Sequence, residues 1–378
     1  MNKKSTTLIL LCITYILSFS QTYPTFGPEK AVTITGNTLD AMEPFISADG
    51  NTLFFNSLNN GTTTSLYYAT RVNDTTFTFV GQVNGVNDPT PHLDAVASMD
   101  SANNFFWVST RNYPTVFENY QHGSYNAGSV TKAGRVKGNF YVYTPGWLIM
   151  DAAINYNGKL LIYCNAWFNN CGGLPCKARL GIAQKLNDST FNKTTTSEQV
   201  LANINDSTYI VYAPEITRDG LELYFTRIKN GTTLSEICVS VRTSLTDVFS
   251  MPKVIYSNQP QIPEAATIVP DKSRIYYHKK PGSLYKIFMR YRTISTGINE
   301  RSASNSILLF PNPAESDFRI IIPDTQQNVE LTIYDMFGQT VLVTSRQTEI
   351  NISGLQRGIY TVVVKYERNL WQQKFIKQ

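Results

Sequence analysis

The chain has 378 residues, of which 42% are hydrophobic and only 16% charged, with a net charge of +5. That length accommodates two domains, one of them with a substantial core. So few charges beside 22 Tyr and 20 Phe favour strands and polar loops over helices, whose surfaces carry many Glu and Lys. The densest basic stretch is Lys279, Lys280, Lys286, Arg290 and Arg292. It is too loose for a nucleic-acid stripe and reads as solvated strand edges and loops.

At the start of the chain, Lys3 and Lys4 precede an apolar run from Leu8 to Phe19, and Ser18 and Ser20 flank a cut before Gln21. Residues 1–20 read as a secretory signal peptide, too short for a stable membrane span. Cys12 follows Leu11 rather than a small residue and sits inside the apolar run, which argues against lipid anchoring. No later segment is apolar over enough residues to form a transmembrane helix. In an exported chain the other cysteines, Cys164, Cys171, Cys176 and Cys238, permit two disulfides in three possible pairings. Cys171 and Cys176 bracket a turn-prone Gly-Gly-Leu-Pro and are the first candidates for a bond. A metal site lacks ligands, because His92, His122 and His278 are scattered. No cofactor motif is found.

From Pro44 to Ser57 the sequence reads strand, tight turn, strand, and a close copy runs from Pro214 to Arg227. Weaker copies occupy 94–109, 151–163 and 266–277. Asp49-Gly50, Asn157-Gly158 and Asp219-Gly220 supply the positive backbone angles of two-residue hairpins. The alternation after each turn marks a strand packed on both faces. Third strands follow at 65–69, 237–241 and 284–288, and a fourth at 252–256. Four antiparallel strands per unit describe a propeller blade. Turns near 49, 100, 157, 219 and 271 recur about every 50 to 60 residues, a period that a β-sandwich does not predict. The expectation is an all-β, five-bladed β-propeller over 21–300, with blades beginning near 43, 94, 151, 213 and 264. The strand at 29–35 closes the ring by completing blade five, which leaves no open edge. These units resemble the TolB-type (PD40-like) propeller repeat, Pro-x-x-Ser-x-Asp-Gly before an apolar strand, most closely at 44–55 and 214–225. That family is used mainly for protein and peptide contacts, and the fold alone assigns no chemistry.

A polar linker at 301–306 leads into strands at 318–322, 329–334, 340–344, 349–352, 360–366 and 370–376, turned at Gly338 and 354–358. This series suits a small Ig-like antiparallel β-sandwich over 307–378. The tail carries Phe310-Pro311-Asn312-Pro313, then Val329 to Gly338 with Asp335 inside it. Leu355 to Tyr360 with Gly358 follows, and a closing Lys374-Phe-Ile-Lys-Gln378. In that order these features resemble the type A C-terminal sorting domain of the type IX secretion system. The resemblance implies a Bacteroidota-type protein that is secreted or displayed on the outer cell surface by way of the periplasm. Its partner would be the outer-membrane translocon, with Pro311, Asn312, Pro313, Asp335, Gly338, Gly358, Tyr360 and Lys374 as the sorting motif.

Acids recur near the start of the innermost strands: Glu43, Asp94, Asp151, Glu215 and Glu264. Glu43, Asp94, Asp151 and Glu215 are the catalytic candidates. One carboxyl would donate a proton while another activates water, as in five-bladed arabinanase-type glycosidases, which residues 151–163 and 213–224 loosely resemble. Counted back from the turn, Glu43, Asp94 and Asp151 lie six positions away, Glu215 four and Glu264 seven. The plainer reading gives these acids hydrogen bonds from neighbouring blades. The leading expectation is therefore a binding propeller for an unknown protein, peptide or glycan, with a glycosidase or a structural surface component as alternatives. Trp107, Tyr113, Tyr120, Trp147 and Trp167 are candidate contact residues, with packing between blades as the competing role.

Overall fold

The computed structural model describes residues 22–87, 89–257, 260–293, 307–321, 330–345, 349–366 and 369–378. The signal segment and the 301–306 linker lie outside the described residues. Those that are described form two compact units, one before and one after residues 294–306. Both are built of strands, with a single helical turn at Ser197–Val200.

The first unit consists of five sheets that follow one another along the chain and are antiparallel apart from one short N-terminal strand. Their first strands are Met42–Ile46, Asp94–Met99, Trp147–Ile154, Tyr209–Ile216 and Glu264–Ile268. Each first strand packs against the next, and the fifth packs against the first. Five apolar cores fill the gaps between successive sheets. Phe45 and Phe54 of sheet one meet Phe105 and Trp107 of sheet two. Between sheets five and one, Tyr276 and Met289 meet Leu53 and Phe77. Every sheet is thus buried on both faces, and the pattern of cores closes on itself.

Glycine shapes the inner turns. Gly50, Gly158 and Gly220 have φ of +74°, +70° and +72°, where a Cβ is disfavoured. The hairpins are longer than the two-residue turns expected. Ser47 N–H bonds Thr52 O, and Gly50 N–H bonds Ser47 O, so four residues make the connection. Sheets three, four and five repeat this pattern. Sheet two uses one residue fewer, with Asp100 N–H bonded to Asn104 O.

The N-terminal segment closes the ring differently from expectation. Thr25–Phe26 and Lys30–Ala31 pair with Lys286–Thr293 and complete sheet five. Thr33–Thr35 instead crosses to sheet one and pairs in parallel with Thr76–Gln82. The segment assigned to blade five therefore joins two sheets. In the basic stretch Lys280 and Lys286 are exposed as expected, whereas the other three cations differ from the solvated edge expected. Lys279 is buried on Glu29 at 2.6 Å, Arg290 donates to the carbonyls of Phe26, Gly27 and Ile255, and Arg292 pairs with Glu222. These cations hold the closing segment and its neighbouring strands.

The second unit has a three-stranded sheet, Leu308–Phe310, Asp317–Ile321 and Glu349–Asn351, and a four-stranded one. The latter comprises Glu330–Tyr334, Thr340–Ser345, Gly358–Tyr366 and Asn369–Lys377. Both sheets contribute to one core, in which Phe318, Ile333, Val362 and Phe375 are fully buried.

Candidate functional site

Each first strand of the ring carries a β-bulge, two residues opposite one. Glu43, Val96, Ala213 and Ala265 occupy the bulges with φ of +49°, +56°, +48° and +54°. A bulge frees a backbone N–H from its own ladder, and a buried N–H needs an acceptor. Here the preceding sheet supplies it. Glu43 N–H donates to His278 Nδ1 (3.0 Å), Val96 N–H to Asn56 Oδ1 (3.1 Å) and Ala265 N–H to Thr226 Oγ1 (2.9 Å). His278, Asn56 and Thr226 hold matching places on their second strands, opposite Glu264, Met42 and Tyr212. In sheet three Asp151 takes over, its Oδ2 accepting from Ala213 N–H at 3.2 Å.

Bulge residues of all five strands line one cavity of ≈ 30 Å³, among them Glu43, Val96, Asp151, Ala213 and Ala265, with Glu215 beside them. That volume holds about one or two waters. Counted from the residue that opens each turn (Ser47, Asp100, Asn155, Thr217, Val269), Glu43 and Asp151 both stand four back, Glu215 two, Glu264 five and Asp94 six. Only Glu43 and Asp151 share a level. Asp94 looked equivalent because the sheet-two turn was taken at Asp100, which in fact holds the place of Ser47. Its carboxylate meets Arg111 at 3.3 Å and does not line the cavity.

Burial, followed by the neighbouring Asp151 and Glu264 carboxylates, pushes Glu43 well above the usual carboxyl range, while the Asn56 amide works against this. Burial likewise lifts Asp151 to about 7; the Ala213 N–H opposes the shift and Glu264 adds to it. Glu215 is lifted by burial to about 8, against hydrogen bonds from Thr267 and the Ile268 backbone. Glu264 accepts from the Tyr212 hydroxyl and lies 3.5 Å from His278 Nε2. Since His278 Nδ1 accepts a backbone N–H, its ring proton sits on Nε2, facing Glu264. Glu43, Asp151 and Glu215 are thus carboxyls whose ionisation is pushed up towards or beyond neutral pH. Sequence reasoning missed His278, Asn56, Thr226 and Tyr212, which are recognised only through the cross-strand register.

The aromatic candidates divide. Trp107 and Tyr120 are fully buried core residues. Tyr113, Trp147 and Trp167 are half-buried where the first strands begin; the tryptophan rings lie 5.6 Å apart and the Tyr113 hydroxyl accepts from Gly146 N–H. Nearby, Cys171 and Cys176 form a disulfide, whereas Cys164 and Cys238 are buried free thiols in the core between sheets three and four. Among the described residues no group of three or more His, Cys, Asp or Glu is placed to hold a metal ion. No helix among them is long and apolar enough to cross a membrane.

In the second unit the motif residues act on the architecture. Asn312 ties the segment after the first strand to the last, donating to Lys374 O (3.1 Å) and accepting from Ile376 N–H (3.0 Å). Pro311 and Pro313, on either side of it, both follow cis peptide bonds. Asp335 Oδ1 accepts from the N–H groups of Phe337 and Gln339, forming a turn in which Gly338 has φ of +78°. Gly358 opens the strand carrying Tyr360, whose ring stacks on Phe375 and whose hydroxyl donates to Gln356 O. Lys374 stays exposed.

Comparisons with known proteins bear on the two units unequally. No curated protein matches the chain. The first unit is distantly similar to an endo-arabinase from Bacteroides thetaiotaomicron (12% identity, 71% of this chain and 99% of that one, TM-score 0.45). A family 117 glycoside hydrolase from Zobellia galactanivorans is comparable (11%, 71% and 90%, TM-score 0.45). TolB from Acinetobacter baumannii is a further match (11%, 68% and 55%, TM-score 0.36). These likenesses are too distant to bear on chemistry. Residues 308–378 match the secretion system C-terminal sorting domain family. The tail is a sorting domain, and the protein is exported through the type IX system to the cell surface or the extracellular space.

Proposed function

We propose that the chain is a five-bladed β-propeller, closed by its own N-terminal segment, that binds a ligand outside the cell without transforming it. On this reading residues 21–300 are the cargo and 307–378 an Ig-like sandwich that serves as its address to the type IX translocon. The observation that carries the non-catalytic reading is the acceptor role of Asp151. Its carboxyl satisfies the bulge N–H of Ala213, as Asn56, Thr226 and His278 do for three of the other four bulges. A cavity of ≈ 30 Å³ is far below the roughly 300 Å³ at which ligand pockets begin.

A glycosidase remains the second reading, favoured by one specific observation: Glu43 and Asp151 share a level and a cavity, with carboxyls raised as a general acid requires. The discriminating experiment incubates the mature protein with a panel of plant and microbial glycans, alongside Asp151→Asn. The binding reading expects product no higher than in the blank for both proteins. Hydrolysis by the wild type that Asp151→Asn abolishes would overturn it.

A further inference from the structure

A larger concavity lies at the turn end of the sheets. It has a volume of ≈ 430 Å³ and takes its walls from the inner turns of sheets one, two and three and the outer hairpin of sheet two. This is within the size range of small-molecule sites. Asp49, Ser101, Asn103, Tyr125, Asn126 and Tyr156 supply its chemistry.

Two aromatic side chains form fixed surfaces. Tyr125 packs on Phe54 and Phe105, with ring centroids 5.1 and 5.9 Å away. Tyr156 lies under the Arg218 guanidinium, 4.1 Å from the ring centroid, and its carbonyl accepts from Ser101 N–H. Around them are polar groups with spare capacity. Ser101 Oγ, the Asn103 and Asn126 amides and the Tyr156 hydroxyl make no hydrogen bond to other described residues. Asp49 instead accepts from Ser47 Oγ and from both the backbone and the amide of Asn51.

This inventory selects a class of ligand. No Lys or Arg is among the lining residues, and the Arg218 guanidinium is held on the Tyr156 ring, so an anion would meet the Asp49 carboxylate with no cation lining the cleft to offset it. A hydrocarbon ligand would cover four polar groups without pairing them, and each would lose its water without gaining a partner. Amides and hydroxyls both donate and accept, as the hydroxyls of a sugar ring do, and tyrosine rings offer apolar surface to its C–H face. From these residues we infer that the cleft is a binding site for a neutral oligosaccharide. The inference rests on the binding reading and gives it a place and a ligand class.

The test titrates the mature protein with neutral hexasaccharides of glucose, xylose, mannose and N-acetylglucosamine, and separately with a casein peptide digest, by calorimetry. Asn126→Ala and Tyr156→Ala probe the cleft, Asp188→Asn on the exposed outer hairpin of sheet three is the control, and melting temperatures check folding. At least one hexasaccharide should bind, tenfold or more weaker in either cleft variant and unchanged in Asp188→Asn. Asn126 is exposed, so its variant keeps the test valid if Tyr156→Ala folds poorly. Binding that ignores both variants, binding of the peptide digest alone, or no binding by any hexasaccharide would each overturn the assignment. Hydrolysis lost in Asp151→Asn with cleft binding intact would overturn the non-catalytic reading and leave the cleft assignment standing.

Discussion

The two units bury different chemistry. The tail core is apolar, and among its described residues Lys377 is the only charged or polar side chain that is buried. The ring gathers Glu43, Asp151, Glu215, Glu264 and His278 about its axis, in an arrangement that holds three of the carboxyls above their ordinary range. Two small sheets sharing one apolar core need only apolar packing and turn chemistry to persist. A ring of bulged strands also leaves one orphan N–H per bulge, and polar side chains must reach inward to satisfy it. Asp151 answers that structural demand for Ala213, while His278, Asn56 and Thr226 answer it for three other bulges.

The largest expected effect separates the units outright. Deleting residues 307–378 should abolish surface display while the ring keeps its melting temperature and accumulates in the periplasm, as fractionation and thermal unfolding would report. Continued display would refute the sorting role of the tail. The second effect concerns only the ring. Glu29 binds the buried Lys279 and accepts from Tyr277 where the N-terminal segment closes sheet five. Glu29→Ala leaves that ammonium buried without its carboxylate, with the Tyr256 hydroxyl still in place, so the ring should lose about 3 kcal/mol in denaturant unfolding. An unchanged ring would mean that closure does not depend on this pair.

The repeat was legible because glycines at positive φ mark the inner turns of sheets one, three and four and apolar strands follow the turn in every sheet, and the tail because its motif residues shape turns and strand ends. The levels of the acids were not legible. A bulge adds a residue without a sequence mark, and the sheet-two turn is one residue shorter, so Asp94 fell into apparent register with Glu43. The acceptors Asn56, Thr226 and His278 were hidden because their role depends on the bulge of the following sheet. The segment 29–35 was read as one strand because no sequence signal marks the crossing between Ala31 and Thr33. Lys279 and Arg290 looked solvated because their partners, at 26–29, lie far away in sequence.

The central claim is that Asp151 serves as a buried acceptor whose ionisation is pushed up to about 7, and its stability linkage tests this most directly. Asp151 has a raised carboxyl, so between about pH 4 and about pH 7 the folded state holds a proton that the unfolded chain has released. Its contribution to stability is therefore undiminished below about pH 4 and falls as pH rises, by up to ~1.4 kcal/mol per pH unit. Comparing the unfolding free energy of the wild type with Asp151→Asn and Asp151→Ala from pH 4 to pH 8 cancels the titration of groups that do not interact with Asp151 and leaves its own together with its coupling to Glu43 and Glu264. Asp151→Asn keeps an acceptor for Ala213 N–H and cannot ionise. It should match the wild type near pH 4 and exceed it at pH 8, whereas Asp151→Ala should be about 1–3 kcal/mol less stable than Asp151→Asn throughout. Equal stability of the two variants, or a wild type that gains on Asp151→Asn as pH rises, would contradict the account.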